Sequence, residues 1–152
     1  MKTHIRPMLL QDRKSVLEIE NLCFSNPWTE AEFTEMLRER NTTGLVAEQG
    51  ETVVGFVIYS LYRDCIAIRN LAVLPRVQRR GVGSSLLLKL ESKLHRERRS
   101  QITALISEEN LDAHLFFAAS RYRAVDVHRD YWEEDGIDAY EFQLHVEDLV
   151  TS

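Results

Sequence analysis

Between Asn70 and Ser84 an apolar, β-branched run stops at Pro75, passes through a basic loop and enters a leucine-rich helix by way of Gly81 and Gly83. A buried strand that hands over directly to a helix belongs to a layered α/β domain. Backbone N–H groups in the first turn of a helix have no partners within it, and the helix dipole adds positive character there. The stretch therefore reads as a site for an anion such as a pyrophosphate. Glycines at 81 and 83 let phosphate oxygens approach the backbone, and Arg79 and Arg80 can add charge-assisted hydrogen bonds. Two other phosphate motifs are excluded by spacing. GxxxxGK[ST] is absent, and Leu86 stands where a dinucleotide fingerprint needs its third glycine. What remains is Q/R-x-x-G-x-G over Gln78, Arg79, Arg80, Gly81, Val82 and Gly83, with Ser84 following. Taken alone, so short a pattern also fits a surface turn before a helix.

The rest of the chain supplies the layers. His4 to Leu9 reads as a first strand. Asp12 is placed to cap a helix with apolar positions Val16, Ile19, Leu22 and Cys23. Phe24-Ser25-Asn26-Pro27-Trp28 breaks that helix, and Thr29 with Glu32 forms a capping box for a second. From Gly44 the period becomes that of strands: Leu45 to Glu48, Thr52 to Leu61 and Cys65 to Val73. A long helix from about Val82 presents Val82, Leu86, Leu90 and Leu94 on one face. A strand at Ile102 to Ile106, a helix from about Asn110 to Ala119, and strands near Val125 to Tyr131 and Ala139 to Val146 complete it. The order is βααβββαβαββ, an α/β domain on a mixed sheet.

Length and composition narrow the function. The 152 residues suit one domain, residues 1–152, and a 44% hydrophobic content suffices for a core. The net charge of -5 argues against a nucleic-acid or membrane-surface partner, which would need a positive face. The two cysteines, Cys23 and Cys65, lack metal-ligand or framework spacing and read as buried thiols. No metal is expected. The N-terminus lacks a signal-peptide h-region, and no apolar run approaches the roughly 18 residues of a membrane span, so a cytoplasmic location is expected.

At this point the chain resembles the GNAT N-acetyltransferase superfamily. The carriers are the Gln78–Gly83 loop, the preceding Asn70-Leu71-Ala72-Val73, the following leucine-rich helix, Asn110 at the head of the next helix, and the element order. Phe24-Ser25-Asn26-Pro27-Trp28 and Arg129-Asp130-Tyr131-Trp132 are similar to segments of the RimI-like protein N-terminal acetyltransferases. The resemblance implies a sheet splayed between its fourth and fifth strands to hold acetyl-CoA. It implies cofactor contacts at Leu71, Ala72, Val73, Gln78, Arg79, Arg80, Gly81, Val82, Gly83, Ser84, Asn110 and Phe117. Leu71 and Val73 would offer N–H groups to the thioester carbonyl. Phe24, Trp28 and Tyr131 would contact the acceptor amine, although ordinary aromatic packing accounts for these rings as well.

Two positions depart from the family pattern. Leu105 stands where the RimI-like enzymes carry a glutamate base, and Phe117 where they carry a tyrosine acid. Arg121 replaces a customary glycine. Neither Leu105 nor Phe117 can move a proton, so replacements are sought in Glu108, Glu109, Tyr122, Tyr131, His114 and His128. A positioned acid or base contributes roughly 100- to 10,000-fold, and proximity about 7–11 kcal/mol, so activity without the usual pair is expected to be reduced rather than excluded. An α-amine with a pKa of about 8 is partly neutral at pH 7, whereas a lysine amine near 10.4 is mostly charged, so such a site favours α-amines. The expected function is direct acetyl transfer to an amine, with the α-amine of a protein N-terminus as the first candidate acceptor. A small amine is the alternative, hinted at by Glu133, Glu134, Asp135 and Asp138. A non-catalytic acyl-CoA sensor is the other. The run His95, Arg96, Arg98, Arg99 reads as a solvated helix C-terminus, with the 3′-phosphate of CoA as the alternative.

Overall fold

The computed structural model describes residues 2–150. Its elements run β1 Thr3–Pro7, α1 Arg13–Cys23, α2 Glu30–Leu37, β2 Thr42–Gln49, β3 Thr52–Leu61, β4 Cys65–Val73, α3 Val82–Glu91, β5 Gln101–Ser107, α4 Leu111–Ala119, β6 Arg123–Trp132, β7 Ile137–His145 and α5 Val146–Val150. This is the expected order with one further helix, α5, at its end. Hydrogen bonding orders the strands β1-β2-β3-β4-β5-β7-β6 in a mixed sheet. The described residues form two compact units that share β4. One holds the chain to Leu61 together with Arg69–Ser92, and the other holds Tyr62–Ile68 together with the chain from Lys93. None of the described helices is long and apolar enough to cross a membrane.

In the first unit β1, β2 and β3 form antiparallel ladders, with a register shift at Ala47/Glu48. Period-two burial puts Val46, Phe56, Ile58 and Ala72 into one core with Val16 and Ile19 of α1 and Phe33 of α2. The α2 capping box forms as expected: Thr29 Oγ1 accepts from Glu32 N–H at 3.1 Å, and the Glu32 carboxylate accepts from Thr29 N–H at 3.0 Å. Asp12 does not cap α1. It ends a 3-10 turn, where it accepts Leu9 N–H at 2.7 Å and pairs through both oxygens with Arg6 at 2.8 and 2.9 Å. The arginine is the stronger partner, because it matches the carboxylate fork. Helix α3 starts close to β3 at Gly55, where a Cβ would stand 3.2 Å from Val82 Cγ1 and 3.2 Å from Ala72 O.

The second unit begins with the first half of β4, parallel to β5 from Cys65↔Gln101 to Ile68↔Ala104. Strand β5 pairs antiparallel with β7, and β7 with β6. Helix α4 covers one face: His114 meets Tyr140 and Phe142 edge-on, and Phe117 packs on Phe142. Leu105, Glu141 and His128 lie on the other face. The basic run does not close a helix. Helix α3 stops at Glu91, and His95–Arg99 forms a turn in which His95 N–H bonds Arg99 O and Arg99 Nε bonds Tyr62 O.

Candidate functional site

In the first unit, the end of β4 and the start of α3 form one surface. Leu74 N–H donates to Val54 O on β3. Because N–H direction alternates along a strand, those of Leu71 and Val73 point to the opposite edge. Leu71 N–H is met there by Asn70 Oδ1 at 2.9 Å. Val73 O accepts Gln78 Nε2 at 2.9 Å and Cys23 Sγ at 3.2 Å. Gln78 therefore pins the loop to the strand. Burial pushes the Cys23 thiol pKa up, so it stays a neutral donor.

The loop itself is shaped for an acceptor of hydrogen bonds. Arg79 and Gly81 both adopt left-handed backbone, with φ of 65° and 87°. Gly81 is the N-cap of α3 and has no side chain to cap it. By contrast, Thr29 caps α2 and Asn110 Oδ1 caps α4 by accepting Ala113 N–H at 3.1 Å. The first-turn N–H groups of Val82, Gly83 and Ser84 are thus left for a partner from outside, with exposed Arg79 and Arg80 beside them. A Cβ at Gly81 would touch nothing within 4 Å, so what holds glycine there is its positive φ.

Sequence reasoning missed Glu20, which lies above this surface. Its carboxylate is buried on α1 and accepts Trp28 N–H at 2.9 Å and Asn70 Nδ2 at 2.5 Å. Burial raises its pKa, with the Trp28 and Asn70 donors pulling the other way. Glu20 thereby ties the Phe24–Trp28 segment to the strand residue that precedes Leu71. Phe24 and Trp28 are half-buried and pack against the core of this unit, so packing claims part of each ring.

In the second unit the proton-handling candidates separate. Phe117 is buried against Phe116, Tyr122 and Phe142. Tyr122 is buried too, with its ring 5.2 Å from that of Phe117. Glu108 accepts Asp138 N–H at 3.1 Å, and Glu109 is exposed. His114 Nε2 meets Ser107 O at 2.9 Å on the α4 side. Tyr131 is exposed, its ring 4.8 Å from Trp132 and 6.3 Å from His128. His128 Nε2 bonds Glu141 Oε1 at 2.8 Å. Glu141, which no motif marked, stands directly opposite Leu105 in the β5–β7 register. Asp126, His128 and Glu141 offer potential ligand atoms within 4.8 Å of one another. Two of those atoms are hydrogen-bonded to each other, so the trio reads as an acid–base pair with a neighbouring carboxylate.

At Arg121 the chain leaves α4 with φ of 73°, and Tyr122 N–H returns to Phe117 O at 2.9 Å. This is the left-handed helix exit that favours glycine.

The sequence model of the Acetyltransferase (GNAT) family matches residues 13–121. The chain is 24% identical over 121 residues to the [ribosomal protein bS18]-alanine N-acetyltransferase of Escherichia coli (strain K12), covering 80% of this chain and 81% of the relative. In fold it is similar to the crystal structure of the Escherichia coli ribosomal-protein-S18-alanine N-acetyltransferase, with a TM-score of 0.83 at 22% identity over 95% of this chain and 94% of that one. It is also similar to Ard1 from Thermoplasma volcanium, with a TM-score of 0.84 at 24% identity over 96% of this chain and 99% of that one.

Proposed function

The chain belongs to the Acetyltransferase (GNAT) family and is an acetyl-CoA-dependent N-acetyltransferase; from this we propose that it works as a single cytoplasmic domain on the α-amine of a protein N-terminus. The observation that carries the cofactor half is the open start of α3. The first-turn amides of Val82, Gly83 and Ser84, with Arg79 and Arg80, fit a pyrophosphate. Acetyl-CoA supplies the acyl group, activated as a thioester. The edge of Leu71, Ala72 and Val73 that points away from β3 suits an extended arm added alongside the strand. The N–H of Val73, and that of Leu71 once shared with Asn70, would hold the thioester carbonyl and stabilise its developing charge. The family resemblance implies further cofactor contacts at Asn110 and Phe117.

Two features support an α-amine acceptor. The similar Escherichia coli protein is named as a ribosomal-protein alanine N-acetyltransferase. The positions Leu105 and Phe117 hold no proton-moving group, which favours an amine of low pKa. Phe24 and Trp28, on the segment that Glu20 anchors, would receive the chain terminus. One observation favours a second reading: Glu133, Glu134 and Asp135 form an exposed acidic turn between β6 and β7, which suits a polyamine.

Gly83→Val tests the cofactor half. Gly83 lies within α3, outside the positive-φ positions, so valine brings no left-handed strain. Calorimetry should show acetyl-CoA affinity reduced at least tenfold with the melting temperature nearly unchanged. Undiminished affinity would place the pyrophosphate elsewhere.

A further inference from the structure

We propose that Asp126, His128 and Glu141 form a binding site for a divalent transition-metal ion such as zinc. The site lies wholly within the second unit and is independent of the acceptor amine and of where the thioester sits.

The register of β6 and β7 assembles it. Asp126 and Glu141 are direct cross-strand partners, so their side chains share a face of the sheet with Cβ atoms about 4.5–5.5 Å apart. His128 follows Asp126 by two residues. The register shifts of β6 fall before Asp126 and after His128, so His128 stands on that face too. Helix α4 covers the opposite face, where His114 and Phe117 pack on Phe142. No spacing in the sequence marks the trio, because Glu141 lies 13 residues from His128 and only strand pairing joins them.

The distances admit a cation. One ligand atom from each side chain lies within 4.8 Å of the other two. Some point is then within about 2.8 Å of all three, against zinc–ligand bonds of about 2.0–2.2 Å, so side-chain movements under about 1 Å complete the set. Without a cation, His128 Nε2 donates to Glu141 Oε1 at 2.8 Å. Two ligands of one tetrahedral zinc stand roughly 3.3 Å apart, so the ion takes the place of that hydrogen with a shift of about half an ångström. The hydrogen stays on the imidazole by moving to Nδ1, which bonds no described residue.

The donor set selects the ion. Imidazole nitrogen beside carboxylate oxygen suits zinc and its first-row neighbours, whereas magnesium and calcium take oxygen ligands. Partners outside the trio orient both carboxylates. Gln143 Nε2 donates to Glu141 Oε2 at 2.5 Å, and Val127 N–H donates to Asp126 Oδ1 at 2.8 Å. Asp126 Oδ2 has no hydrogen bond among the described residues and is left for the ion. Such outer contacts hold metal ligands in place. Asp126 is exposed and the His128 side chain is 39% exposed, so water reaches the remaining coordination position.

Calorimetric titration of the full chain with zinc chloride, in a buffer without phosphate or chelator, tests the site. Zinc should bind saturably, and magnesium chloride about 100-fold more weakly. His128→Gln and Asp126→Asn should each weaken zinc about tenfold or more, while His95→Gln, on the exposed 95–99 turn, leaves it unchanged. Ring-nitrogen NMR of the wild type needs no variant to fold. At one equivalent of zinc, the imidazole of His128 should shift alone among the five histidines. Magnesium binding as tight as zinc, zinc binding undiminished in His128→Gln, no saturable zinc binding, or a zinc-induced shift at another histidine without one at His128 overturns the proposal.

Discussion

The buried carboxylate of Glu20 accepts a hydrogen bond from Asn70 Nδ2 at 2.5 Å, joining α1 to the strand edge at Leu71. Trp28 N–H occupies the other oxygen. Two donors aimed at two oxygens favour the anion, yet burial raises the pKa of this acid. A raised folded value means that Glu20 favours the folded state least once ionised. Its contribution to stability therefore falls as pH rises from the ordinary glutamate range through the raised value. Glu20→Gln offers one oxygen to two donors and should cost about 1–3 kcal/mol in urea denaturation while flattening that slope. It should also raise KM for the acceptor, because the Trp28 segment loses its anchor. Unchanged stability and KM would remove Glu20 from the site.

Asp12 has the opposite sign. The Arg6 guanidinium beside it and the N–H of Leu9 hold its carboxyl below the usual range against the opposing effect of burial. Its stabilisation is complete above the ordinary aspartate range and is lost as pH falls through the depressed folded value. Asp12→Asn should cost about 2 kcal/mol at neutral pH and much less in acid. Chemical denaturation at several pH values measures both. An equal loss at every pH would contradict the assignment.

Arg121 holds a left-handed conformation at a helix exit. A side chain there costs roughly 1–2 kcal/mol in backbone strain, offset in part by the greater freedom of glycine in the unfolded chain. Arg121→Gly should therefore stabilise the protein by about 1 kcal/mol and raise its melting temperature by about 2–4 °C. A lower melting temperature would mean that the arginine side chain contributes more than its backbone costs.

Phe117→Tyr puts a hydroxyl where the family resemblance implies a tyrosine acid. The ring is buried among Phe116, Tyr122 and Phe142, so the new hydroxyl must find a partner, at a cost of about 1–2 kcal/mol where it finds a poor one. Turnover should rise, because the leaving thiolate gains a donor. A thermal melt and a kcat measurement read the two effects. Unchanged kcat would show that the thiolate takes its proton unaided.

Local chemistry made much of this fold legible. The β-branched runs at Thr52–Leu61 and Cys65–Val73, the Thr29 capping box and the Gly81 helix start all depend on neighbours in sequence. Asp12 looks in sequence like a helix cap, but Arg6, a partner on another element, takes its carboxylate. Periodicity extends α3 to Leu94 and the helix dipole favours the basic run as its C-terminus, but the helix ends at Glu91 and no periodicity marks that end. Glu20 reads in sequence as an ordinary polar position on an amphipathic helix, and its burial comes from Trp28 and Asn70. Glu141 and His128 become a pair only through the β5–β7–β6 register, which no local pattern encodes.

The most direct test of the central claim is mass spectrometry of a pool of short peptides with varied N-termini, including internal lysines, after incubation with acetyl-CoA. Acetyl groups are expected on α-amines, with lysine side chains largely untouched. Acetylation confined to lysines or to added polyamines, with acetyl-CoA binding verified in the same samples, would contradict it.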